Sequence, residues 1–518
     1  MRPAPDAAIF DLDGVVTFTA RLHSEAWKQL FDEFLRSRAE ATGEPFRPFT
    51  DADYNAYVDG RPRLDGIRTF LASRGITLPE GTSSDPPDAE TVAGLGHRKN
   101  RIFRALLVER GVDVDGGAVR LIRELRERGV RVGVASSSKN TPLILETAGL
   151  ESLFEARVDG ITSEELGLRG KPAPDIFLAC LERLGARDPG RAVVVEDAVS
   201  GVEAGRAGGF GLVLGVDRAD QAIALREHGA DWVVRDLRKL SADRIEAWFA
   251  HRGDARPNAI AHWGEFSAEL RGRRPALFLD YDGTLTPIVE RPDLATLDDD
   301  VRDTLRRVAA VWPTTIISGR DREDVARRVG LDDINYAGSH GFDIAGPEAG
   351  GVRLEVARDI APAIAAAADE LRRRAEGIPG VIVEHKKYAT SVHYRMVDEA
   401  RVPEVERIVD DVLAHRPELR KGAGKKVFEL RPAMDWDKGR AVLWLLETLG
   451  LDRPDVVPLY IGDDVTDEDA FRALVELGIG IIVAEIPRPT AARYALQDVH
   501  EVRALLERLA ALRGGREH

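Results

Sequence analysis

Residues 8–14 read AIFDLDG and residues 277–283 read LFLDYDG. Each is a short apolar run ending in Asp-x-Asp-Gly, the pattern of a buried strand whose carboxyl end carries acids. Three further echoes follow in each half. A small-residue loop bearing a hydroxyl closes a second apolar strand in VGVASSS (132–138) and TTIISGR (314–320). A lysine comes next, in GKPAPDIF from Gly170 and DWDKGRAV from Asp435. An acidic pair then ends a third strand, in VVVEDAVSG from Val193 and YIGDDVTDE from Tyr460. The offsets are nearly constant: 269 positions from Asp11 to Asp280, 267 from Lys171 to Lys438 and 266 from Asp197 to Asp463. Only the hydroxyl loops break the rule, Ser136 lying 182 positions before Ser318. The two halves are therefore one plan with an insertion at a different place in each.

Strand–loop–helix alternation around these motifs predicts an α/β chain with two Rossmann-like, doubly wound parallel-sheet cores that bind ligands at the carboxyl ends of their strands. Helices are expected over Val119–Arg128 and Ala441–Thr448. The insertions read as caps over the two sites. The first, about 20–100, looks helical, with apolar residues at helical spacing from Ser24 to Phe34. The second, about 350–430, mixes an alanine-rich helix (Ala361–Ala375) with the strand-like runs VIVEH, SVHYRM and KVFELR, so a small α+β cap is expected. Domains are assigned to 1–240 and 273–518. The linker falls at 241–272, where His251-Arg252-Gly253-Asp254 and Arg256-Pro257-Asn258 punctuate the chain.

A length of 518 residues accommodates two such cores. The net charge of −15 leaves no basic face for nucleic acid. No window is long and apolar enough for a membrane span. The start of the chain has no basic, apolar or cleavage segment of a signal peptide, so a cytoplasmic location is the expectation. Cys180 is the sole cysteine, which excludes a disulfide framework and a cysteine metal site. The partners expected are small anionic molecules, held by a metal and a few local cations; oligomeric state is not legible.

Two acids at i and i+2 of an extended segment point to the same side. The first can attack phosphorus as a carboxylate; the second can protonate the leaving oxygen and later activate an acceptor. Asp11 and Asp13 fit these roles in the first half, Asp280 and Asp282 in the second. Magnesium takes oxygen ligands, so these acids and the later pairs, Glu196 with Asp197 and Asp463 with Asp464, are the candidate metal residues. Lys171 and Lys438 would offset phosphoryl charge, and Ser136 and Ser318 would bind phosphoryl oxygens. A single Asp-x-Asp-Gly is as often a turn or a helix cap. Four motif classes in one order, twice, point to phosphoryl transfer.

With these motifs in place, both halves resemble the haloacid dehalogenase superfamily of phosphotransferases. The resemblance implies an aspartyl-phosphate intermediate, Mg²⁺ and mobile caps. FDLDGVVTFTARLHSEAW (10–27), VASSSKN (134–140) and GKPAPDIF resemble β-phosphoglucomutases. On that resemblance His23 is the cap-hinge histidine, Arg63 in Gly60-Arg61-Pro62-Arg63 grips a distal phosphate, Lys99 faces the sugar, and Ser138, Lys139 and Asn140 bind phosphate. One departure stands out: Phe18 occupies the place where that family usually has Asp.

FLDYDGTLTPI (278–288), SGRDREDV (318–325), AGSHGFDI (337–344), VEHKKYATSVHYR (383–395), FELRPAMDWDKG (428–439) and IGDDVTDEDAF (461–471) resemble trehalose-6-phosphate phosphatases. The resemblance implies that Glu384, Lys386, His393 and Arg395 face the sugar from cap strands, with Glu429 and Arg431 at the cap's far end. Arg320, Ser339 and His340 would line the core's mouth. Glu384 with Lys386, and His393 with Arg395, are i and i+2 pairs and share strand faces. The function implied is a trehalose-6-phosphate phosphatase fused to a β-phosphoglucomutase-like phosphotransferase. The alternatives for the first half are a sugar-phosphate phosphatase or a regulatory sugar-phosphate-binding module.

Overall fold

A computed structural model describes residues 4–512 apart from 59–62, 290, 292–293, 348–350 and 425. Gly60, Arg61 and Pro62 of the expected phosphate-gripping segment thus lie outside the described residues. The chain divides into two compact units between Ala250 and His251.

In the first unit β1 (Ala7–Phe10) ends at the Asp-x-Asp-Gly loop, and the short β2 (Thr17–Phe18) and β3 (Asp113–Val114) pair antiparallel as a hinge ribbon. The sheet is completed by β4 (Arg131–Ala135), β5 (Ala156–Val158), β6 (Ala192–Glu196), β7 (Leu212–Val216) and β8 (Trp232–Val234). All its pairings are parallel, in the order β5-β4-β1-β6-β7-β8. Every residue of β1 is fully buried, because helices cover both faces of a parallel sheet and the strand can be apolar throughout. The direction of winding reverses beside β1, which opens the ligand crevice at its carboxyl end. Between β2 and β3 the helices Ala20–Thr42, Asp51–Tyr57, Arg63–Ser73 and Val92–Arg110 form the cap. The buried rings of Trp27, Phe31, Phe49 and Phe70 pack against one another inside it, Trp27 stacked on Phe31 and the others tilted.

The second unit repeats the plan. Its strands β9 (Arg274–Leu279), β10 (Thr314–Ile317), β11 (Asn335–Gly338), β12 (Asp343–Ala345), β13 (Arg353–Glu355), β18 (Val456–Gly462), β19 (Ile479–Val483) and β20 (Tyr494–Leu496) form one sheet. The order is β13-β12-β11-β10-β9-β18-β19-β20, parallel except for β12 and β13 at one edge. The cap is an antiparallel sheet of β14 (Ile382–Lys386), β15 (Ala389–His393), β16 (Leu419–Gly424) and β17 (Val427–Pro432) in the order β14-β15-β17-β16. Helices Ala361–Ala375 and Val402–Leu413 pack on it through Ile364, Leu371, Val405 and Val409.

The stretch 241–272 is not a free linker. Helix Ala242–His251 buries Ile245, Trp248 and Phe249 in the first unit, and Arg128 reaches Asp243 at 2.7 Å. On the other side Arg256 donates to the carbonyls of Thr490 and Ala492. Asn258 donates to Glu501 at 2.7 Å, and Phe266 is buried edge-on against Tyr494. Apolar residues at helical spacing on both sides of the Gly–Pro punctuation carry the chain back onto each core. Among the described residues no helix is long and apolar enough to cross a membrane.

Two candidate active sites

The end of β1 places Asp11, buried, at the floor of the first crevice. Lys171 Nζ stands between Asp11 Oδ1 and Glu196 Oε2, 2.6 Å from each. Burial opposes its charge, yet these two carboxylates hold the ammonium well above its ordinary value. Asp11, Glu196 and Asp197 bring oxygens within 4.8 Å of one another, and burial and the Asp11 charge raise Asp197 to about 7. An all-oxygen set of mutually repelling carboxylates fits a hard divalent cation, which would relieve the repulsion. Asp13 lies outside this set. The hydroxyls of Thr19 and Thr17 donate to its Oδ1, while burial pushes its carboxyl up to about 6.

The second core has the same frame. Lys438 Nζ lies 2.7 Å from Asp280 Oδ1 and 2.6 Å from Asp467 Oδ1, and Tyr460 also donates to that Asp467 oxygen. The convergent acids are Asp280, Asp463 and Asp467, within 4.8 Å. Neither Asp282 nor Asp464 belongs to the set. Asp464 caps the turn Val465–Asp467 in reciprocal hydrogen bonds with Asp467, its N–H donating to Asp467 Oδ2 at 2.9 Å. The partner of Asp463 in the cluster is therefore Asp467 and not the expected Asp464. Asp463 follows the strand end at Gly462, and the extended Asp464 with its capping turn brings Asp467 back beside it.

The glycines of the two loops align the acids across the halves. Gly14 has φ +85° and Gly283 φ +88°, and the N–H of each donates to the carbonyl of Thr17 or Thr286 at 2.7 Å. A Cβ on Gly14 would fall 1.9 Å from Asp197 Oδ2, and one on Gly283 2.2 Å from Asp463 Oδ2. Asp197 and Asp463 are thus equivalent, as are Glu196 and Asp467, the lysines' second partners. The hydroxyl loops match too. Ser136 accepts from the Ser138 N–H at 3.2 Å and Ser318 from the Arg320 N–H at 3.1 Å, both serines being buried.

The second acids are held differently. Arg320 grips Asp282 with two hydrogen bonds of 2.7 and 2.6 Å, whereas among the described residues Asp13 has only hydroxyl donors.

In the first cap Lys99 Nζ lies 2.6 Å from His23 Nδ1. Burial, then the Lys99 charge, pushes His23 down to about 3; burial, then Arg63, brings Lys99 to about 7. Asn100 accepts from Arg63 at 3.1 Å and from Asn140 at 2.9 Å, joining cap to core. Among the described residues neither Arg63 nor Lys99 has an ion-pair partner. Ser138 accepts from the Asn140 N–H. Lys139 is not brought into the site: it pairs with Glu164 at the surface, 2.6 Å away. At the hinge Arg218 stacks 4.9 Å over the Phe18 ring and donates to the Gly14 carbonyl at 2.7 Å and to Asp115 at 2.6 Å.

The second cap closes a cavity of about 230 Å³ that contains Asp280, Lys438 and Asp463. Arg320, His340, Glu384, Lys386, His393, Arg395, Glu429 and Arg431 all line it. His393 pairs with Glu384 at 2.9 Å, as cross-strand alternation on β14 and β15 allows. Buried Glu429 meets His340 at 2.8 Å, Ser391 at 3.2 Å and Lys386 at 3.5 Å. Although burial works against its charge, His340 and Lys386 hold the carboxyl well below the usual range. Ser339 and His340 both have positive φ, +49° and +58°, a backbone strain of roughly 1–3 kcal/mol each that persists at functional sites. Ser339 itself turns away, its hydroxyl on Asp321.

A family model for haloacid dehalogenase-like hydrolases matches residues 5–209, and one for trehalose-phosphatase matches residues 278–500. A β-phosphoglucomutase of Mycobacterium bovis is 52% identical over 238 residues, 45% of this chain and 90% of that protein. A trehalose-phosphate phosphatase of Mycobacterium marinum is 40% identical over 376 residues, 72% of this chain and 95% of that protein. An uncharacterized glycosyl hydrolase of Mycobacterium tuberculosis is 41% identical over 511 residues, 98% of this chain. The chain spans 38% of that relative's length.

Proposed function

We propose that this chain, which belongs to the trehalose-phosphatase family through its second half and to the β-phosphoglucomutase family through its first, is a bifunctional sugar-phosphate phosphotransferase. The second half would hydrolyse trehalose 6-phosphate, and the first would interconvert β-glucose 1-phosphate and glucose 6-phosphate. The observation that carries this reading is the lysine bridging a strand-end aspartate and a second acid, present in both cores under caps of different build.

In the second site Asp280 is the nucleophile: its carboxylate oxygen bonds to phosphorus as the bond from phosphorus to the sugar oxygen breaks. Asp282 protonates that oxygen, then takes a proton from the water that cleaves the aspartyl-phosphate. To do so it must leave the Arg320 fork, which the incoming phosphoryl group can occupy in its place. Lys438 and Ser318 stabilise charge on the phosphoryl oxygens. Asp280 and Asp463, with Asp467 behind them, would hold Mg²⁺, which supplies Lewis-acid stabilisation of the phosphoryl group. The pairs Glu384–His393 and Glu429–Lys386 would meet the hydroxyls of the disaccharide.

In the first site Asp11, Asp13, Lys171 and Ser136 take the same parts, with Asp11, Glu196 and Asp197 around Mg²⁺. Arg63 and Lys99, two cap cations without carboxylate partners among the described residues, favour a mutase: they can hold the distal phosphate of a bisphosphate while the other end reacts. Soluble sugar phosphates of this kind suit a cytoplasmic enzyme. The full chain with Mg²⁺ should release phosphate from trehalose 6-phosphate, and with a trace of glucose 1,6-bisphosphate it should turn β-glucose 1-phosphate into glucose 6-phosphate. Free glucose in place of glucose 6-phosphate would make the first half a phosphatase. No phosphate from trehalose 6-phosphate would overturn the assignment of the second.

A further inference from the structure

The acids Asp197 and Asp463 close their clusters from the strand next to the central one, β6 in one half and β18 in the other. One strand further out, β7 and β19 run parallel to them, and the loop that leaves each passes the acid. From these loops Gln221 Nε2 donates to the main-chain carbonyl of Asp197 at 2.9 Å, and Arg488 Nη2 donates to that of Asp463, also at 2.9 Å. The donors lie 24 and 25 positions beyond their acids. Acceptor atom, distance and place in the fold coincide, although an amide does the work in one half and a guanidinium in the other. The repeat therefore has a fifth member that no shared residue type reveals.

Both donors are themselves held. Gln221 precedes helix Ala222–Glu227 and its N–H bonds Asp217 Oδ1 at 2.8 Å; buried Asp217 is paired in turn with Arg235. Arg488 lies between Pro487 and Pro489, which restrict the backbone on either side of it. The chain just beyond is fixed by Arg256 at the Thr490 carbonyl and by Glu468 at the Ala491 N–H.

The restraint matters because each acid fits so closely over its glycine. The carboxylates of Asp197 and Asp463 lie where a Cβ on Gly14 or Gly283 would stand, so rotation of the following peptide would carry them off the cluster. A donor fixed on the carbonyl stops that rotation. We infer that Gln221 and Arg488 are equivalent positioning residues, each locking through the main chain the acid that completes the divalent-cation site of its half. They act behind the ligands, where loss of an orienting partner typically costs about 10–100-fold in metal affinity. The inference rests on reading the two clusters as cation sites.

Mn²⁺ binding to the metal-free full chain, followed by the EPR signal of the unbound ion, tests both statements without substrate. The wild type should bind at two sites. Gln221→Ala should weaken one by about tenfold and Arg488→Ala the other, and the double variant both. Arg488→Gln should restore the second site, since an amide supplies the same N–H without the charge. In Arg488→Ala the Mg²⁺ needed for half-maximal trehalose-6-phosphatase activity should rise about tenfold, with kcat recovered at saturating Mg²⁺ and KM for the sugar unchanged. Unaltered Mn²⁺ affinity in both alanine variants overturns the positioning role and leaves the cation sites standing. A lowered melting temperature with activity lost at every Mg²⁺ concentration also overturns it, in favour of a merely structural contact. Arg488→Gln behaving as Arg488→Ala would show that charge, not the hydrogen bond, is what Arg488 supplies. A wild type that binds no Mn²⁺ removes the cation reading and this inference together.

Discussion

Lys438 is the side chain on which the second site depends most. It is 3% exposed and is the cation between Asp280 and Asp467. Lys438→Met should abolish trehalose-6-phosphate hydrolysis, by at least about a hundredfold, because two buried carboxylates then face the phosphoryl group uncompensated. It should also cost roughly 3–5 kcal/mol in a urea titration, the usual penalty for leaving one side of a buried pair alone. In the first cap, His23 and Lys99 give a signed pH dependence. Both are bases pushed down, to about 3 and about 7, so the unfolded chain binds their protons more readily. His23 should therefore contribute a loss of stability as pH falls from about 6.5 towards 3. Lys99 should contribute a gain as pH rises from about 7 towards its ordinary value. Because His23 stays neutral, the KM for β-glucose 1-phosphate should be flat below about pH 7 and rise above it as Lys99 loses charge. A KM that instead follows a group near pH 6.5, and does so only while His23 is present, would contradict this. The strand-end aspartates and hydroxyls, and the lysines that lead into the next helices, were legible as motifs because each has a fixed residue type in a repeated order. Asp467 is hidden in the sequence because Asp463 has a nearer acidic neighbour, and the hold of Arg320 on Asp282 spans loops that no local pattern joins.

At the scale of elements, the sequence disclosed the strands as apolar runs and the caps as displaced motifs. The hinge was less legible. A two-residue ribbon such as β2 with β3 leaves no periodicity, and the meaning of Phe18 lies in Arg218, 200 positions away. Arg218 bonds the Gly14 carbonyl and Asp115 while covering Phe18, so it clasps both crossings between core and cap. Arg218→Ala should speed amide exchange at Phe18 and Val114 in the ribbon and leave β1 unchanged. Equal protection in the variant would show that the ribbon stands without the clasp. The cap sheet was half legible. Glu384, Lys386 and His393 follow from alternation, whereas β16, with its glycines and lysine, reads as a loop until β17 pairs with it.

The whole molecule is two units that share a plan and differ in their caps. Their boundary is sharper than punctuation suggested, because both flanks of the Gly–Pro stretch fold back onto a core. A fragment of residues 271–518 loses Arg256, Asn258 and buried Phe266. It should melt several degrees below a fragment of residues 252–518, as removal of about 2–3 kcal/mol of aromatic burial implies. Equal melting temperatures would place the boundary near 271 after all. The duplicated Asp-x-Asp-Gly implies one first chemical step on two different sugars, so the activities should part cleanly at the two nucleophiles. The direct measurement is to assay full-length Asp11→Asn and Asp280→Asn side by side. Each is given trehalose 6-phosphate, and separately β-glucose 1-phosphate with a trace of glucose 1,6-bisphosphate. Asp280→Asn should lose only phosphate release from trehalose 6-phosphate, and Asp11→Asn only glucose 6-phosphate formation. Loss of both activities in one variant, or of neither in both, would contradict two independent aspartyl phosphotransferases in one chain.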